Sequence, residues 1–502
     1  MNYNIKSPLK KQIIDIFNDY YQYIDKKPND IEEEDYFKNY KQEITINGWV
    51  RDFRPQADNI FISLIDGSTS EVLQIFSGEN ILSTTENLEN LRGACIEVFG
   101  DVIKSPAKGQ IIELVASKIK IIGSIEDKKS ILLAKKVNLE TLRDYQHLRT
   151  RFRSYNYIYK IRSTLLKNIH EYFQANNFYN LDPNVITTSD CEGAGEVFTI
   201  TSLDFNNIIK EKNEEKFKNI FKDDFFGKQA FLTVSSQLQL EALTAGLSRV
   251  YTLNPSFRAE KSKTKRHLGC FTHLEYEIAF IDINELMDFS ESLVKYVIGK
   301  TLSDCNKEYK ELDSFMSKGI INKLNGFINC DFERITYSKA IELVETNKKA
   351  ILKKFNKEGM TIKDIPKWGD DLGSFCERFI CEEIYNKPTF VFNYPRELKS
   401  FYMKVDKDDD KVVNSCDALF PFLGELIGSS IRENSYDKLC ESMDKKNMDK
   451  SKLNWYLELR KLGCSSGGAG LGFDRLVNMC TLMDGNIRDV VPFPVSYQEC
   501  NY

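Results

Sequence analysis

Between residues 43 and 123, apolar and polar side chains alternate with a period of two, the spacing of strands buried on one face. The alternation predicts strands at Ile44–Val50, Asn59–Ile65, Glu71–Phe76, Cys95–Asp101 and Gln110–Ile122. Turn chemistry separates them: Asp66-Gly67-Ser68, Ser77-Gly78, Ser105-Pro106 and Lys108-Gly109. Five short strands in about 80 residues suit a small barrel of the OB type. Ile60, Ile62 and Leu64 share one face of the second strand, which turns Phe61 to the other. On the third, Leu73 and Ile75 face inward and Gln74 outward. An outward ring beside an outward amide offers an unpaired base a stacking surface and an edge reader. The other reading is that Phe61 packs under a loop or against a second domain.

The flanking segments follow different patterns. Residues 1–42 form an extension in which Ile13, Ile14, Phe17, Tyr20, Tyr21 and Ile24 recur at helical spacing, predicting a short amphipathic helix. Residues 124–150 are a charged connector. Tyr157, Ile158, Ile161, Leu165, Leu166, Ile169 and Phe173 predict a long amphipathic helix, which Asn180-Leu181-Asp182-Pro183 breaks. Residues 205–228 are charged and aperiodic, a surface insertion, and 300–356 are lysine-rich and mostly helical, a second one. The remainder of 151–502 alternates strands and helices. The fold class expected is α+β: a small β-barrel, then a larger domain built on an antiparallel sheet flanked by helices.

At 502 residues the chain is too long for one hydrophobic core. Hydrophobic residues make up 42% and charged residues 28%, a globular composition that excludes a mainly disordered chain. No stretch reaches the ~18 uncharged apolar residues of a membrane span. The first 35 residues carry too much acid for a presequence and no apolar core for a secretory signal, so a cytoplasmic protein is expected. The twelve cysteines include no Cys-x-x-Cys and there are four histidines, so no zinc spacing emerges and reduced, buried cysteines are expected. The net charge of −5 is not that of a protein that coats nucleic acid, although local basic patches remain open.

One such patch is Phe257-Arg258-Ala259-Glu260-Lys261-Ser262-Lys263-Thr264-Lys265-Arg266-His267-Leu268, followed by Cys270-Phe271-Thr272-His273-Leu274-Glu275-Tyr276-Glu277. It reads as two strands joined by a basic loop, with Arg258 and Glu260 on one face of the first and His273, Glu275 and Glu277 on one face of the second. So many polar groups on one face are costly unless the face is wet or binds something. A solvated hairpin tip is the usual place of a charge run; a loop that meets polyphosphate or an RNA end is the other reason to concentrate cations. These residues resemble motif 2 of the class II aminoacyl-tRNA synthetases. Gly467-Gly468-Ala469-Gly470-Leu471-Gly472-Phe473-Asp474-Arg475-Leu476 resembles motif 3, where glycines admit a ligand and an arginine opens a helix. The long helix ending at Pro183 resembles, more loosely, motif 1, the family's dimer element. An N-terminal OB domain that reads the anticodon is the mark of class IIb.

Within class IIb, Ser189-Asp190-Cys191-Glu192-Gly193-Ala194-Gly195-Glu196-Val197-Phe198 is similar to the asparaginyl signature. So are Leu232–Leu238, Trp368–Leu372, Asn393–Met403 and Gly424–Glu433. Three positions depart from the family: Ser466 stands where histidine is frequent, Cys376 lies in a segment that often holds histidine, and Val495 follows Phe493-Pro494 in place of arginine.

The resemblance implies ATP-dependent ligation of L-asparagine to tRNA(Asn) through an adenylate, by a homodimer that uses Mg²⁺ and no protein nucleophile. It implies that Arg258 grips the α-phosphate and the amino-acid carboxylate, and Arg475 the γ-phosphate and one adenine face. Phe271 would stack on the other face, Glu260 and the Leu268 backbone read its edge, His267 hold the triphosphate, Gly472 leave room and Glu425 bind the metal. Glu192 and Gln237 would take the ammonium of asparagine, with Arg432, Glu275 and His273 around the rest. Leu240 stands where the aspartyl branch has a lysine. The alternatives are an aspartyl or non-discriminating enzyme, an inactive RNA-binding paralogue, and an asparagine-making paralogue, which lacks the OB domain.

Overall fold

A computed structural model describes residues 10–25, 43–56, 59–78, 91–107, 110–134, 136–188, 196–204, 206 and 219–502. The chain divides into two compact units, Met1–Asn156 and Tyr157–Tyr502.

In the first unit, helix α1 (Ile13–Asp25) precedes β1 (Ile44–Gln56), β2 (Asn59–Ile65), β3 (Leu73–Ser77), β4 (Cys95–Lys104) and β5 (Ile112–Gly123), which close into a barrel in the order β1-β2-β3-β5-β4. The alternating Ile, Val and Leu positions fill its interior, and Ile13, Ile16, Phe17 and Tyr20 of α1 join that core. Asp66 and Ser68, in the turn after β2, accept hydrogen bonds from the Ile13 and Ile14 amides at 2.7 and 3.1 Å, satisfying the orphan donors at the start of α1. The helix stripe thus runs through Ile16, while Ile14 and Tyr21 lie only half-buried at its margin. The side chain of Ile24 and the Lys108-Gly109 turn lie outside the described residues.

The second unit is built on helix α2 (Arg153–Ala175), β6 (Tyr179–Asn180), and a small sheet of β7 (Ile186–Thr187), β8 (Thr199–Ile200) and β9 (Ala230–Leu232). Helix α3 (Gln237–Leu247) leads into β10 (Arg249–Phe257) and β11 (Cys270–Ala279). Then come α4 (Ile283–Asp304), β12 (Glu333–Thr336), α5 (Tyr337–Phe355), β13 (Thr389–Pro395), β14 (Val412–Phe420) and β15 (Gly424–Ile431). Helix α6 (Asn454–Lys461), β16 (Ser466–Gly472) and α7 (Phe473–Thr481) close the order. The main sheet runs β12-β13-β14-β15-β16-β11-β10-β6. It is antiparallel except at its two ends, where β12 pairs parallel to β13 and β6 parallel to β10.

Helix α2 stops at Ala175, well before Pro183, because Asn177 takes a left-handed φ of 61° that ends it. Its Phe173 stacks on Tyr251 of β10 at 4.4 Å and meets Tyr276 of β11, so the sheet is anchored behind the face that carries the polar residues. The lysine-rich stretch 300–356 is helical except for β12, which edges the main sheet. Residues 205 and 207–218 of the charged aperiodic stretch lie outside the described residues.

Candidate active site

Strand alternation decides which side chains of β11 meet. Leu274, Tyr276 and Ile278 turn to the packed face, where the Tyr276 hydroxyl bonds Ser290 of α4 at 2.7 Å. His273, Glu275 and Glu277 turn to the other face, opposite β16, with Glu275 paired to Gly470 and Glu277 to Gly468. A Cβ on Gly468 would lie 1.9 Å from Glu277 Oε2, and one on Gly470 2.5 Å from His273 Nε2. These two glycines make room for their strand neighbours' side chains, whereas the sequence pattern alone assigned the room to a ligand.

β10 ends at Phe257, so Arg258 and Glu260 lie in the loop and do not share a strand face, as their spacing had implied. The loop is nonetheless pinned: the Arg258 amide donates to Gly269 O at 3.0 Å, Ala259 to Glu196 O at 2.7 Å and Gly269 to Val495 O at 2.8 Å. From α2, Arg162 reaches Asp474 at 2.5 Å and Thr272 at 3.2 Å, while Asp474 also accepts from the Thr272 amide. The first turn of α7, which carries Arg475, is thereby tied to β11 through Asp474.

Two adjoining cavities result. One, of about 260 Å³, is lined by Gln237, Leu240, His273, Glu275 and Arg432 together with Arg258 and Glu425. The other, of about 140 Å³, is lined by Glu260, His267, Leu268, Phe271, Gly472 and Arg475, again with Arg258 and Glu425. Arg258, His273, Glu425 and Gly470 belong to both. Every synthetase-site residue expected from the sequence is therefore brought together here except Glu192, which lies outside the described residues.

In the smaller cavity the Arg258 guanidinium lies 5.5 Å from the Phe271 ring, and Arg475 donates to Glu425 O at 2.9 Å. The His267 ring meets the Ser262 and Thr264 hydroxyls at 2.9 and 2.6 Å, and burial lowers its pKa against the pull of Glu260. Behind Glu425, the half-buried Glu377 accepts from the Glu425 amide at 3.2 Å; desolvation and then the charge of Glu425 push its carboxyl up to about 8.

In the larger cavity Glu275 is bonded by the Ser235 hydroxyl and, at 2.9 Å, by the Ser236 amide. Burial lowers the pKa of His273, opposed by Glu275 at 3.5 Å. Glu277 holds Arg432 by its Nε, at 3.0 and 3.2 Å, and its Nη2, at 2.7 Å, and accepts from Ser466 at 2.6 Å, so the departure at Ser466 has a defined partner. Burial works against the Arg432 cation, but Glu277 and Glu241 outweigh it and raise its pKa.

Cys376 is buried in the helix Gly373–Phe379.

In the barrel, Gln74 is not displayed: it is 5% exposed, and its amide is occupied by Gln110 at 3.1 Å and Ile75 O at 3.4 Å. The outer face of β3 is covered there, which alternation cannot reveal. Phe61 is half-buried, its ring 5.4 Å from that of Phe76 directly across the strand pair.

The family model for tRNA synthetases class II (D, K and N) matches residues 138–497. An asparagine–tRNA ligase of Borrelia garinii is 42% identical over 455 residues, spanning 90% of this chain and 95% of that protein. This chain belongs to the asparagine–tRNA ligase family of class II synthetases. An asparaginyl-tRNA synthetase from Pyrococcus horikoshii, solved with asparaginyl-adenylate, superposes with a TM-score of 0.76 at 30% identity, covering 94% of this chain and 99% of that one. The Entamoeba histolytica enzyme, also with asparaginyl-adenylate, gives 0.74 at 26% identity, covering 92% and 97%.

For this asparagine–tRNA ligase family member, sequence reasoning missed several residues that line or support the cavities. Asp417 and Lys399 pair at 2.6 Å in the wall of the larger one, Arg266 lines the smaller, and Ser235, Ser236 and Glu277 hold assigned residues. The charge run contained Arg266, the strand alternation contained Glu277, and the asparaginyl-like segments Leu232–Leu238 and Asn393–Met403 contained Ser235, Ser236 and Lys399 without a role; nothing local marked Asp417.

Proposed function

We propose that the chain ligates L-asparagine to tRNA(Asn) at this pair of cavities. An asparagine carboxylate oxygen attacks the α-phosphorus of ATP, the bond to the β-phosphate breaks, and asparaginyl-adenylate and pyrophosphate form. The 3′-hydroxyl of the terminal tRNA ribose then attacks the acyl carbon, and AMP leaves. The observation that carries this reading is the junction: two cavities, one amino-acid sized and one beside Phe271 and Arg475, meet at Arg258. A planar guanidinium there can hold a carboxylate and a phosphate together. Both steps need positioning and charge neutralisation more than a protein base.

In this reading Phe271 and Arg475 sandwich adenine, Glu260 and the Leu268 backbone read its edge, Gly472 leaves it room, and His267 and Arg475 hold the terminal phosphates. Glu425 supplies a hard carboxylate beside Arg475, 3.8 Å away and 43% exposed, which fits Mg²⁺, an ion usually bound by one or two carboxylates plus substrate phosphates. When bound, Mg²⁺ reduces the charge repulsion among those phosphates. Among the described residues no group of three or more potential ligands is arranged for a metal ion. Glu192 and Gln237 take the ammonium, Arg432 the side-chain carbonyl, and Glu275, beside His273, accepts from the amide NH₂.

Aspartate would bring a carboxylate to Glu275, and the buried Leu240 offers no cation to offset it. The barrel reads the anticodon through Phe61. The enzyme acts in the cytoplasm, and among the described residues no helix is long and apolar enough to cross a membrane. ATP–pyrophosphate exchange tests the reading: exchange should depend on asparagine and be nearly absent with aspartate. Equal exchange with both would replace it by a non-discriminating enzyme.

A further inference from the structure

Behind Arg432 lies a set of buried charges that the roles above do not use. Glu241, one turn along α3 from Gln237, is 0% exposed. One of its oxygens accepts from Gln237 Nε2 at 3.0 Å and lies 3.8 Å from Arg432 Nε. The other meets Arg460 of α6 at 2.5 Å and the Tyr456 hydroxyl at 2.8 Å. Glu277 grips Arg432 from the strand side. Two carboxylates, Glu241 and Glu277, thus balance two guanidiniums, Arg432 and Arg460.

The donors of Arg432 can be counted. Glu277 takes Nε–H and one hydrogen of Nη2, and Ser430 takes one hydrogen of Nη1 at 2.6 Å. Two N–H groups remain for a substrate oxygen. They suit a carbonyl, but the charge behind them is already matched. Nearby, Lys399 is matched by Asp417, and burial disfavours the His273 cation.

We infer that Glu241 is a specificity-determining residue: by completing the balance around Arg432 it leaves the side-chain end of the cavity fit for an amide and unfit for a carboxylate. This rests on reading the cavity as the asparagine site. Because it is a matter of net charge, it has a signature that packing does not share. Removing the charge of Glu241 leaves an uncompensated cation, which a substrate carboxylate would offset. Removing Arg460 as well restores the balance.

The test is kcat/KM for ATP–pyrophosphate exchange with asparagine and with aspartate, in the full-length enzyme, with thermal melting as a check on folding. Glu241→Gln should lower the asparagine-to-aspartate ratio by about tenfold or more, since charge is weakly screened in a buried site. The double variant Glu241→Gln with Arg460→Gln should return the ratio to within about threefold of wild type by the same charge count. Arg460→Gln alone, which leaves a carboxylate in excess, should raise it and covers the case in which Glu241→Gln does not fold. Structural damage would lower both activities together. A ratio unmoved in Glu241→Gln, a ratio as low in the double variant, or a ratio unmoved or lowered in Arg460→Gln would each overturn the inference. A wild type that exchanges with neither amino acid, or equally with both, overturns the reading of the cavity itself.

Discussion

Arg475 differs from the arginines that grip carboxylates. Arg162, Arg378, Arg432 and Arg460 each have a carboxylate within 3.0 Å. The Arg475 guanidinium comes no closer to the Glu425 carboxylate than 3.8 Å, and that of Arg258 lies 5.5 Å from the Phe271 ring. Their guanidiniums line the cavity where phosphate charge would sit, and donors set in advance for transition-state charge contribute more than donors that must reorganise. Arg258→Ala and Arg475→Ala should each lower asparagine-dependent exchange by roughly 10²–10³-fold, as for other lost transition-state donors. Circular dichroism should show the fold intact, since backbone bonds of residues 258, 259 and 269 pin the loop and Asp474 holds the start of α7. Near-normal exchange in either folded variant would remove that arginine from the site.

The strand is the scale at which the sequence was most and least readable. In the barrel, burial on one face imposes period two, so β2 was legible to the residue and β3 to β5 within a few. β1 runs on to Gln56, past the expected end at Val50, because a bulge between Val50 and Asp52 resets the alternation while pairing with β2 continues. β12 was hidden because four residues at the edge of a sheet, between lysine-rich helices, carry no period. In the site, residues sharing a segment with a motif were legible, while Glu241 and Asp417 reach it only through the register of distant elements. The barrel's outer face has the same limit: alternation separates Phe61 from the core but cannot show that Gln74 is covered. With Gln74 withdrawn, the stacking expected on this face would rest on Phe61, whose ring lies 5.4 Å from that of Phe76. Phe61→Ala should weaken tRNA aminoacylation by roughly 1–3 kcal/mol, the worth of one stacked base. Exchange without tRNA should be unchanged; a parallel fall in both would make Phe61 a packing residue.

At the scale of the whole molecule, the second unit leaves apolar side chains in water around α2 and the β6 end of the sheet. Phe280, just after β11, is 81% exposed, Tyr179 on β6 57%, and Leu166 on α2 36%. The helical period placed Leu166 with the buried stripe, yet Ile158, Ile161, Leu165 and Ile169 fill the core without it. A single exposed apolar residue needs no explanation, but several near the edge of a sheet mark an interface. We propose that a second copy of the chain covers them, making a homodimer through the segment that ends at Pro183. Because these side chains are already exposed, charge placed there should cost the isolated fold little, usually within about 0.5 kcal/mol. The double variant Leu166→Glu with Tyr179→Glu should therefore keep its melting behaviour at the monomer level and lose self-association. Sedimentation should give twice the chain mass for wild type at micromolar concentration and the single mass for the variant. Exchange activity should fall with the dimer, since Arg162 of the same helix bonds Asp474, the neighbour of Arg475, and a loosened α2 would release both. A wild type that sediments as a monomer at every concentration with full activity would contradict the interface, and a monomeric variant with unchanged exchange would separate α2 from the chemistry.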